Sequence, residues 1–369
     1  MRLNEYTTLG RTGLRVTPLC LGAMGFGTGW GWGADEKSSF QMLDQYFDAG
    51  GNFIDTADGY QMGQSEEIVG KYVAERKLRD KAAIATKYTF NFGNIGNPNA
   101  GGNGRKNLYR ALEGSLRRLK TDYVDLYYLH AWDLITPVEE VVSTMTDLVH
   151  EGKIRYYGLS DTPAWYFTRA QTLAEKGGLE RCATLQLEYS LAERNIEREH
   201  IPAAQELGIG LCPWSPLAGG LLTGKYKREG NKGVGDGRLT SSPIFNKFTE
   251  HNWRVLEVLV DVAKQIGRAP SQVALNWVAT QPGVTSVILG ATKTTQLAEN
   301  LTCLDFSIPD NLRVRLDEVG RPEAVHPYNF YTSTMQLRLS GNTTVREWRR
   351  AYVYEGSIAP PAEKKTSAS

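Results

Sequence analysis

The sequence predicts an α/β fold: a closed (β/α)8 TIM barrel, preceded by an N-terminal β-hairpin and followed by a C-terminal extension. Three observations support this prediction. The chain has 369 residues, a length that suits one barrel of repeated βα units. Short apolar runs alternate with amphipathic stretches, and eight such runs can be counted, which is the strand number of that barrel. A doubly wound sheet is the alternative that the same rhythm allows.

The opening segment, residues 6–22, predicts the hairpin. Thr12 and Gly13 have the composition of a turn and separate two extended runs. We expect this hairpin to lie ahead of the main fold.

The eight predicted strands are short and carry apolar residues at successive positions. Parallel strands that are buried on both faces have this composition. The runs are residues 19–22, 53–55, 83–87, 124–130, 154–160, 184–187, 210–214 and 285–289.

Two of the stretches between these runs have a clear helical periodicity, with apolar residues repeating on one face. The predicted buried faces are Leu108, Leu112, Leu116 and Leu119 in one stretch, and Trp253, Leu256, Leu259, Val260 and Ala263 in the other.

Two segments interrupt the rhythm. Residues 91–104 contain five glycines and five asparagines without apolar periodicity, and residues 223–242 are rich in lysine and glycine. Both are predicted to be loops, and both follow strands, on the side where barrel enzymes have their active sites. Residues 1–319 are assigned to the barrel. Residues 320–369 are assigned to the extension, which we expect to be disordered from about Pro360.

The composition disfavours several classes of function. The formal net charge is +1, from 42 basic and 41 acidic residues, which argues against a nucleic-acid partner. No stretch is apolar and long enough for a secretory signal or a membrane span, so we expect a cytoplasmic protein. The five histidines are isolated and the four cysteines lack metal-binding spacing, so no metal site is expected.

Four polar residues follow neighbouring predicted strands. Asp55 and Tyr60 follow the second strand, Lys87 ends the third, and His130 ends the fourth. Each of them, taken singly, could have a purely structural role. In a barrel, however, they would meet in one cleft, and this joint placement favours catalysis.

These four side chains have a common chemical logic. A phenol has a pKa near 10, and an ammonium at about 4 Å is worth roughly 4 kcal/mol at an effective dielectric of about 20. We therefore expect Lys87 to lower the pKa of Tyr60 towards neutrality, with Asp55 keeping Lys87 charged. His130 would orient a substrate carbonyl. A hydride must then come from a nicotinamide, because no side chain supplies one.

Several motifs in these segments resemble the aldo-keto reductase superfamily, over about residues 8–319. They are DTADGY at 55–60, SEEIVG at 65–70, LRRLKTDYVDLYYLH at 116–130 and GKIRYYGLS at 152–160. The pattern is most like the bacterial and potassium-channel β-subunit-like branches. The resemblance implies that Tyr60 is the general acid, with Asp55, Lys87 and His130 around it.

The same resemblance implies a set of cofactor contacts. Gly22, Met24 and Asp55 belong to this set. The other implied contacts are Ser160 and Gln186 to the nicotinamide carboxamide, Trp214 against the ring, Ser215, Leu217, Gly219, Lys225 and Arg238 at the pyrophosphate, and Gly290, Thr292, Gln296, Glu299 and Asn300 at the adenosine end.

Two features depart from the family pattern. Asp161 stands where the family usually has Asn or Arg. Gly and Gln also occupy positions that are Lys and Arg in the mammalian reductases. Lys225, Arg238 and Lys293 are the cations that could hold a 2′-phosphate instead, and the sequence favours NADPH over NADH.

The substrate is expected to be a small carbonyl compound or alcohol. Tyr60 and His130 would contact it, with Trp30 and Tyr88 as pocket walls; Trp32, Phe90 and Trp132 are further candidates. The predicted function is therefore an NADP-dependent oxidoreductase that reduces an aldehyde, ketone or sugar-like carbonyl, or catalyses the reverse reaction. A nucleotide-sensing regulatory subunit with slow or no turnover is the alternative. A metal-using barrel hydrolase is disfavoured. Homo-oligomerisation is left open.

Overall fold

The structure is a computed structural model that describes residues 1–93, 95–230, 232–241 and 246–343. The chain divides into two compact units, Met1–Gly320 and Arg321–Ser369. The first unit contains the barrel and every predicted site residue.

Eight parallel strands form the central sheet of the first unit. The strands are β3 (Leu19–Gly22), β4 (Phe53–Asp55), β5 (Ala83–Tyr88), β6 (Val124–Leu129), β7 (Ile154–Ser160), β8 (Thr184–Gln186), β9 (Gly210–Leu211) and β12 (Val287–Gly290). A hairpin of β1 (Thr7–Thr8) and β2 (Arg15–Val16) precedes them, and β10 (Lys227–Glu229) and β11 (Lys232–Val234) lie between β9 and β12 in the chain. The order in the sheet is β12-β3-β4-β5-β6-β7-β8-β9, so strands that follow one another in the chain are neighbours in space.

The two ends of this sheet meet. The carbonyl oxygen of Leu211, in β9, accepts a hydrogen bond of 2.8 Å from the amide of Thr285. The carbonyl of Pro213 accepts one of 2.9 Å from the amide of Ile288, in β12. The sheet is therefore closed, which confirms the predicted (β/α)8 barrel and rules out the doubly wound alternative, whose sheet is open.

Helices surround the barrel. They are α1 (Glu36–Asp48), α2 (Gln64–Glu75), α3 (Arg105–Leu119), α4 (Val138–His150), α5 (Ala164–Gly177), α6 (His200–Leu207), α7 (Arg238–Ser241), α8 (Glu250–Ile266), α9 (Pro270–Ala279), α10 (Thr294–Leu301) and α11 (Asp310–Val319). Two of these helices have an N-terminal side-chain cap. The Asp35 carboxylate accepts a hydrogen bond of 2.8 Å from the amide of Ser38 at the start of α1, and the Thr249 hydroxyl accepts one of 3.2 Å from the amide of Asn252 at the start of α8.

The predicted helix faces are largely correct. Leu108, Leu112 and Leu119 of α3 are buried, whereas Leu116 is only partly buried. The assignment of Val260 in α8 to the buried face is wrong, because this side chain is 43% exposed. It directly follows the buried Leu259, and one residue is about 100° of helical rotation.

The predicted N-terminal hairpin is confirmed. β1 pairs with β2 in antiparallel fashion, with Thr7 opposite Val16. Leu9 and Val16 pack in one cluster with Cys20 and Phe53, which point into the barrel. The hairpin therefore covers the end of the barrel at which the strands begin, and the opposite end, where strands finish, is left for a site.

One predicted loop contains regular structure. Within the described part of residues 223–242, β10 pairs with β11 and α7 follows, so the prediction of a plain loop is wrong there. This small hairpin is held by backbone hydrogen bonds and its strands are mostly exposed, so its sequence carries no apolar periodicity that would reveal it. Residues 91–93 and 95–104, by contrast, contain no helix or strand.

In the second unit, residues 321–343 are described. They include a 3₁₀ turn at Tyr328–Phe330 and α12 (Ser333–Leu339), which is capped by Thr332. The tail expected to be disordered, from about Pro360, lies outside the described residues. Over the part of the chain that is described, none of the helices combines the length and apolarity of a membrane span.

Candidate active site

Four predicted side chains meet where the strands end. Asp55 is the last residue of β4, Lys87 lies in β5, and His130 directly follows β6. Tyr60 begins the 3₁₀ turn Tyr60–Gly63 that follows β4. Parallel strands end at one rim of a barrel, and the structure brings these residues together there.

Lys87 is the centre of the arrangement. Its side chain is fully buried, and Nζ donates hydrogen bonds to Asp55 Oδ2 at 2.6 Å, to the carbonyl of Thr56 at 2.8 Å and to Tyr60 Oη at 3.2 Å. The second carboxylate oxygen of Asp55 accepts a 2.9 Å bond from Gln186 Nε2. All three protons of the ammonium thus have acceptors, and both oxygens of Asp55 are paired.

The electrostatics of this group favour a charged lysine and a protonated tyrosine. Burial acts to lower the pKa of Lys87, but the charges of Asp55 and Tyr60 and the hydrogen bonds to both residues together outweigh it, and the net pKa lies above its ordinary value. Burial also raises the pKa of Tyr60, more than Lys87 lowers it, and Asp55 adds to the rise. The expectation that Lys87 lowers the pKa of Tyr60 towards neutrality is therefore wrong. The phenolate loses hydration, and Asp55 offsets much of the lysine charge.

His130 is held as a neutral imidazole. Burial, followed by repulsion from Lys87, lowers its pKa well below the ordinary value. Its ring stands edge-on to Tyr60, with centroids 5.8 Å apart. Nδ1 is buried and has no hydrogen-bond partner among the described residues. The ring is therefore free to donate a hydrogen bond to a ligand from whichever nitrogen carries the proton.

Gln61 fastens the turn that carries Tyr60, and sequence reasoning missed it. Its backbone is left-handed, with φ 50°, and its side chain is buried. Oε1 accepts from the amide of Trp30 at 2.9 Å, and Nε2 donates to the carbonyl of Met24 at 3.1 Å. The segment after β3 is thereby tied to the turn that carries Tyr60. No sequence signal marks this residue, because its partners lie about thirty to forty positions away.

Aromatic rings flank Tyr60 and His130. Trp30 lies edge-on to Tyr60 at 6.2 Å between centroids, and Trp32 follows it at 5.8 Å from Trp30. On the other side, Phe90 lies 5.0 Å from His130. Trp30, which is predicted to be a pocket wall, thus lies next to Tyr60.

Tyr88 is not a pocket wall, and that prediction is wrong. The side chain is fully buried and stacks on Tyr127 at 5.1 Å between centroids. Successive side chains of a strand point to opposite faces. Since Lys87 points into the barrel, Tyr88 points outward, into the layer between strands and helices.

Three residues predicted to contact a nicotinamide lie on the same rim. Ser160 ends β7, Gln186 ends β8, and Trp214 follows β9. Ser160 Oγ is buried without a hydrogen-bond partner in the described ranges. Trp214 Nε1 donates to Asp161 Oδ1 at 3.1 Å.

The next rim segment carries the residues predicted at the pyrophosphate. Ser215 and Gly219 have positive φ, 53° and 66°, and Ser215 Oγ accepts from the amide of Gly219 at 3.2 Å. Leu217 precedes the 3₁₀ turn Ala218–Thr223, and Lys225 follows it. The guanidinium of Arg238 lies over the ring of Trp32, 5.4 Å from its centroid.

The predicted adenosine contacts follow β12. Gly290 is its last residue, and a Cβ there would meet no atom within 4 Å. Beside it, Gly22 ends β3 in register; a Cβ on Gly22 would come within 2.9 Å of Ile288. The remaining predicted residues lie in different surroundings. The amide of Thr292 donates to Gln296 Oε1 at 3.1 Å, Glu299 Oε1 accepts from Ser271 Oγ at 3.1 Å, and Asn300 is buried.

Within the described residues, no group of three or more His, Cys, Asp or Glu side chains is arranged to hold a metal ion.

Comparison with known proteins gives a consistent result. Residues 18–321 match the Aldo/keto reductase family. The chain is 35% identical to norsolorinic acid reductase of Aspergillus flavus, over 91% of this chain and 86% of that protein. It is 38% identical to the uncharacterized oxidoreductase YrpG of Bacillus subtilis, over 85% and 95%. It is 36% identical to an aryl-alcohol dehydrogenase of Pestalotiopsis microspora, over 80% and 76%.

Proposed function

The chain belongs to the aldo/keto reductase family, and on that premise we propose that it is an NADPH-dependent oxidoreductase. It reduces an aldehyde, ketone or sugar-like carbonyl to the alcohol, or catalyses the reverse reaction. The observation that carries the proposal is the 3.2 Å hydrogen bond from Lys87 Nζ to Tyr60 Oη. It joins a protonated phenol to a buried, fully paired ammonium.

The protein side of the reaction follows from these groups. When bound, the nicotinamide supplies the hydride, which no side chain can provide. His130 donates a hydrogen bond to the carbonyl oxygen and orients it. Tyr60 gives its proton to that oxygen as the carbon is reduced, and Lys87 stabilises the phenolate that remains. Tyr60 then recovers a proton from solvent.

The residues on the rim fit a nicotinamide cofactor. The buried, unpartnered Ser160 Oγ needs a ligand group to satisfy its hydrogen bond, as an amide would. Gln186 is fixed by Asp55 with its carbonyl oxygen left for such a group. Trp214 offers an aromatic face. We assign the nicotinamide to Ser160, Gln186 and Trp214.

We propose NADPH over NADH on the charge of the surrounding residues. Arg238 lies in the mouth of the site over Trp32, and Lys225 and Lys293 flank the segments assigned to the pyrophosphate and adenosine ends. Guanidinium and ammonium groups suit a phosphate.

For the substrate, the aromatic side chains beside the reacting groups favour a compound with an aromatic ring, because flat apolar rings stack on such surfaces. Trp30 and Phe90 are the two that flank Tyr60 and His130. Two of the relatives are named as norsolorinic acid reductase and aryl-alcohol dehydrogenase, which supports the same direction. We propose a cytoplasmic enzyme acting on small molecules.

Turnover with a substrate panel tests this proposal. Purified protein is mixed with NADPH and a series of aliphatic, aryl and sugar aldehydes and ketones, and the loss of reduced cofactor is followed by absorbance. Steady consumption with at least one substrate is expected. Tight binding of cofactor without turnover of any substrate would favour the nucleotide-sensing subunit instead.

Tyr60→Phe tests the assigned proton donor. The change removes one hydroxyl and keeps the ring, so we expect kcat to fall by at least about a hundredfold, while the Kd for NADPH, measured by fluorescence titration, changes less than about threefold. Phe40→Tyr, on helix α1 away from the site, is the matched control. A Tyr60→Phe enzyme with unchanged turnover would contradict the assignment of Tyr60 as the proton donor.

A further inference from the structure

We propose that Asp161 selects the redox state of the bound cofactor: its carboxylate favours the oxidised nicotinamide, whose ring is cationic, over the neutral reduced ring. The inference rests on the proposed function and extends it to Asp161, which is not among the residues assigned to the cofactor or to the reaction. It concerns the relative affinity of two forms of one cofactor.

Position is the first argument. Asp161 directly follows Ser160 at the end of β7, and its amide donates to the carbonyl of Gln186 at 3.2 Å. Its Oδ1 accepts from Trp214 Nε1 at 3.1 Å. The three residues assigned to the nicotinamide are therefore the neighbour in sequence, the backbone partner and the side-chain partner of Asp161. Its charge lies against the nicotinamide subsite.

The backbone directs the side chain there. Asp161 has φ 45°, a left-handed conformation that aspartate and asparagine tolerate better than most other residues. Asparagine is thus a substitute that keeps both the backbone and an oxygen acceptor for the indole, while removing the charge.

The carboxylate of Asp161 is not in ion-pair contact with a cation in the described residues. None of their ion pairs includes Asp161. Solvent reaches the side chain of Asp161. The surrounding protein nevertheless removes part of the hydration of its carboxylate, and this desolvation raises the pKa of Asp161 to about 6. The Trp214 bond and the charge of Lys87 oppose this rise, and Glu188 adds to it. Asp161 is ionised at pH 7 and above.

The same charge reaches the catalytic tyrosine. Burial raises the pKa of Tyr60, Lys87 lowers it, and Asp55 raises it; Asp161 adds a smaller rise. A nicotinamide that covers the Asp161 carboxylate would exclude water and strengthen its attraction for a positive ring, whereas a reduced ring would offer no charge in return.

The test compares the Kd of NADP+ with that of NADPH, by fluorescence titration at pH 8. In Asp161→Asn we expect the ratio of the Kd for NADP+ to that for NADPH to rise about tenfold, which equals about 30 mV for a two-electron couple. Asp161→Glu keeps the charge and should stay within about threefold of wild type. Glu113→Gln, an exposed charge removal on α3, is the control and should leave the ratio unchanged.

A pH series provides a second readout. In the wild type, the preference for NADP+ should weaken as the pH falls through about 6, whereas Asp161→Asn should show a flat ratio in that range. Lys87, Tyr60 and Glu188 face the same cleft and are present in both proteins, so their titration cancels in the comparison. Circular dichroism confirms that each variant is folded.

Two outcomes overturn the inference. One is a ratio that changes less than twofold in Asp161→Asn; the other is an equal loss of affinity for both cofactor forms, which would make Asp161 a structural support for Trp214. If the wild type binds neither NADP+ nor NADPH, the proposed function fails as well. If it binds and turns over but the ratio does not move, only the role of Asp161 fails.

Discussion

Two acids near the end of β4, the buried Asp55 and the half-buried Asp58, have opposite surroundings. Asp55 receives hydrogen bonds from Lys87 and Gln186 on its two oxygens. Asp58, only three residues later, has a buried Oδ1 with no partner in the described residues. Burial and the nearby charge of Glu66 raise the pKa of Asp58 to about 7, against the opposing effect of Arg118. A buried carboxylate is stabilised by what surrounds it, and Asp58 lacks most of that support.

This difference predicts how stability depends on pH. The folded pKa of Asp58 is about 7, above the unfolded value of about 3.9. Its contribution to stability is therefore fully present below about pH 4 and is lost as the pH rises through about 7. We expect Asp58→Asn to stabilise the protein against urea more at pH 8 than at pH 5, with a difference between the two pH values on the order of 1–3 kcal/mol.

Urea titrations followed by tryptophan fluorescence at the two pH values measure this difference. Asp80→Asn removes an exposed carboxyl and serves as the control, for which no pH-dependent gain is expected. An Asp58→Asn protein that gains equally at pH 5 and pH 8 would show that ionisation of Asp58 is not the cause.

At the scale of elements, helices α2 and α3 approach each other closely at one glycine. A Cβ on Gly70 of α2 would lie 2.5 Å from the Cα and carbonyl of Leu119, at the end of α3. Gly114, within α3, has a different neighbour: a Cβ there would lie 3.1 Å from the end of the flexible Arg118 side chain. One glycine faces a backbone that cannot move aside, and the other faces a side chain that can.

The two glycines therefore predict opposite responses to alanine. Gly70→Ala should destabilise the protein by about 1–3 kcal/mol, because the helices must separate. Gly114→Ala should be neutral or stabilising by up to about 1 kcal/mol, because alanine is the better helix former. Thermal unfolding of the two variants alongside wild type tests this contrast, and a similar loss in both would contradict it.

At the scale of the whole molecule, the proposed cofactor site draws on distant parts of the chain. Its residues run from Gly22 on β3 to Asn300 on α10, and those that end or follow strands stand on one rim because the sheet closes. A ligand that bridges them binds only the folded barrel. It should stabilise the fold by about 2.7 kcal/mol when present at one hundred times its Kd.

This linkage predicts a rise in the unfolding temperature with NADPH, and a smaller one with NADH at equal concentration. Lys293→Met should reduce the NADPH shift and leave the NADH shift nearly unchanged, if the ammonium holds the 2′-phosphate. Lys176→Met, on the outer helix α5, is the control. Equal loss of both shifts in Lys293→Met would argue against a 2′-phosphate contact. Differential scanning fluorimetry measures each shift.

Much of this architecture is local information. Each barrel strand is a short apolar run, and the residues that end or follow it, such as Asp55 and His130, reach the rim when the strands are parallel and form a closed barrel. The order of the runs, the hairpin and the meeting of Asp55, Tyr60, Lys87 and His130 were therefore within reach of the sequence. The structure differs from the sequence-based predictions at positions where the outcome depends on the direction of a side chain or on its surroundings.

The sequence by itself determined the barrel and the set of groups at its rim, because both follow from which residue types stand at which spacing. Only the tertiary structure decided how those groups behave. Tyr88 turns outward because its strand alternates, Gln61 is recruited by backbone atoms far away in the chain, and the pKa of Tyr60 rises because burial outweighs Lys87. Burial and charge balance are sums over neighbours in space, and a spacing along the chain does not contain those sums.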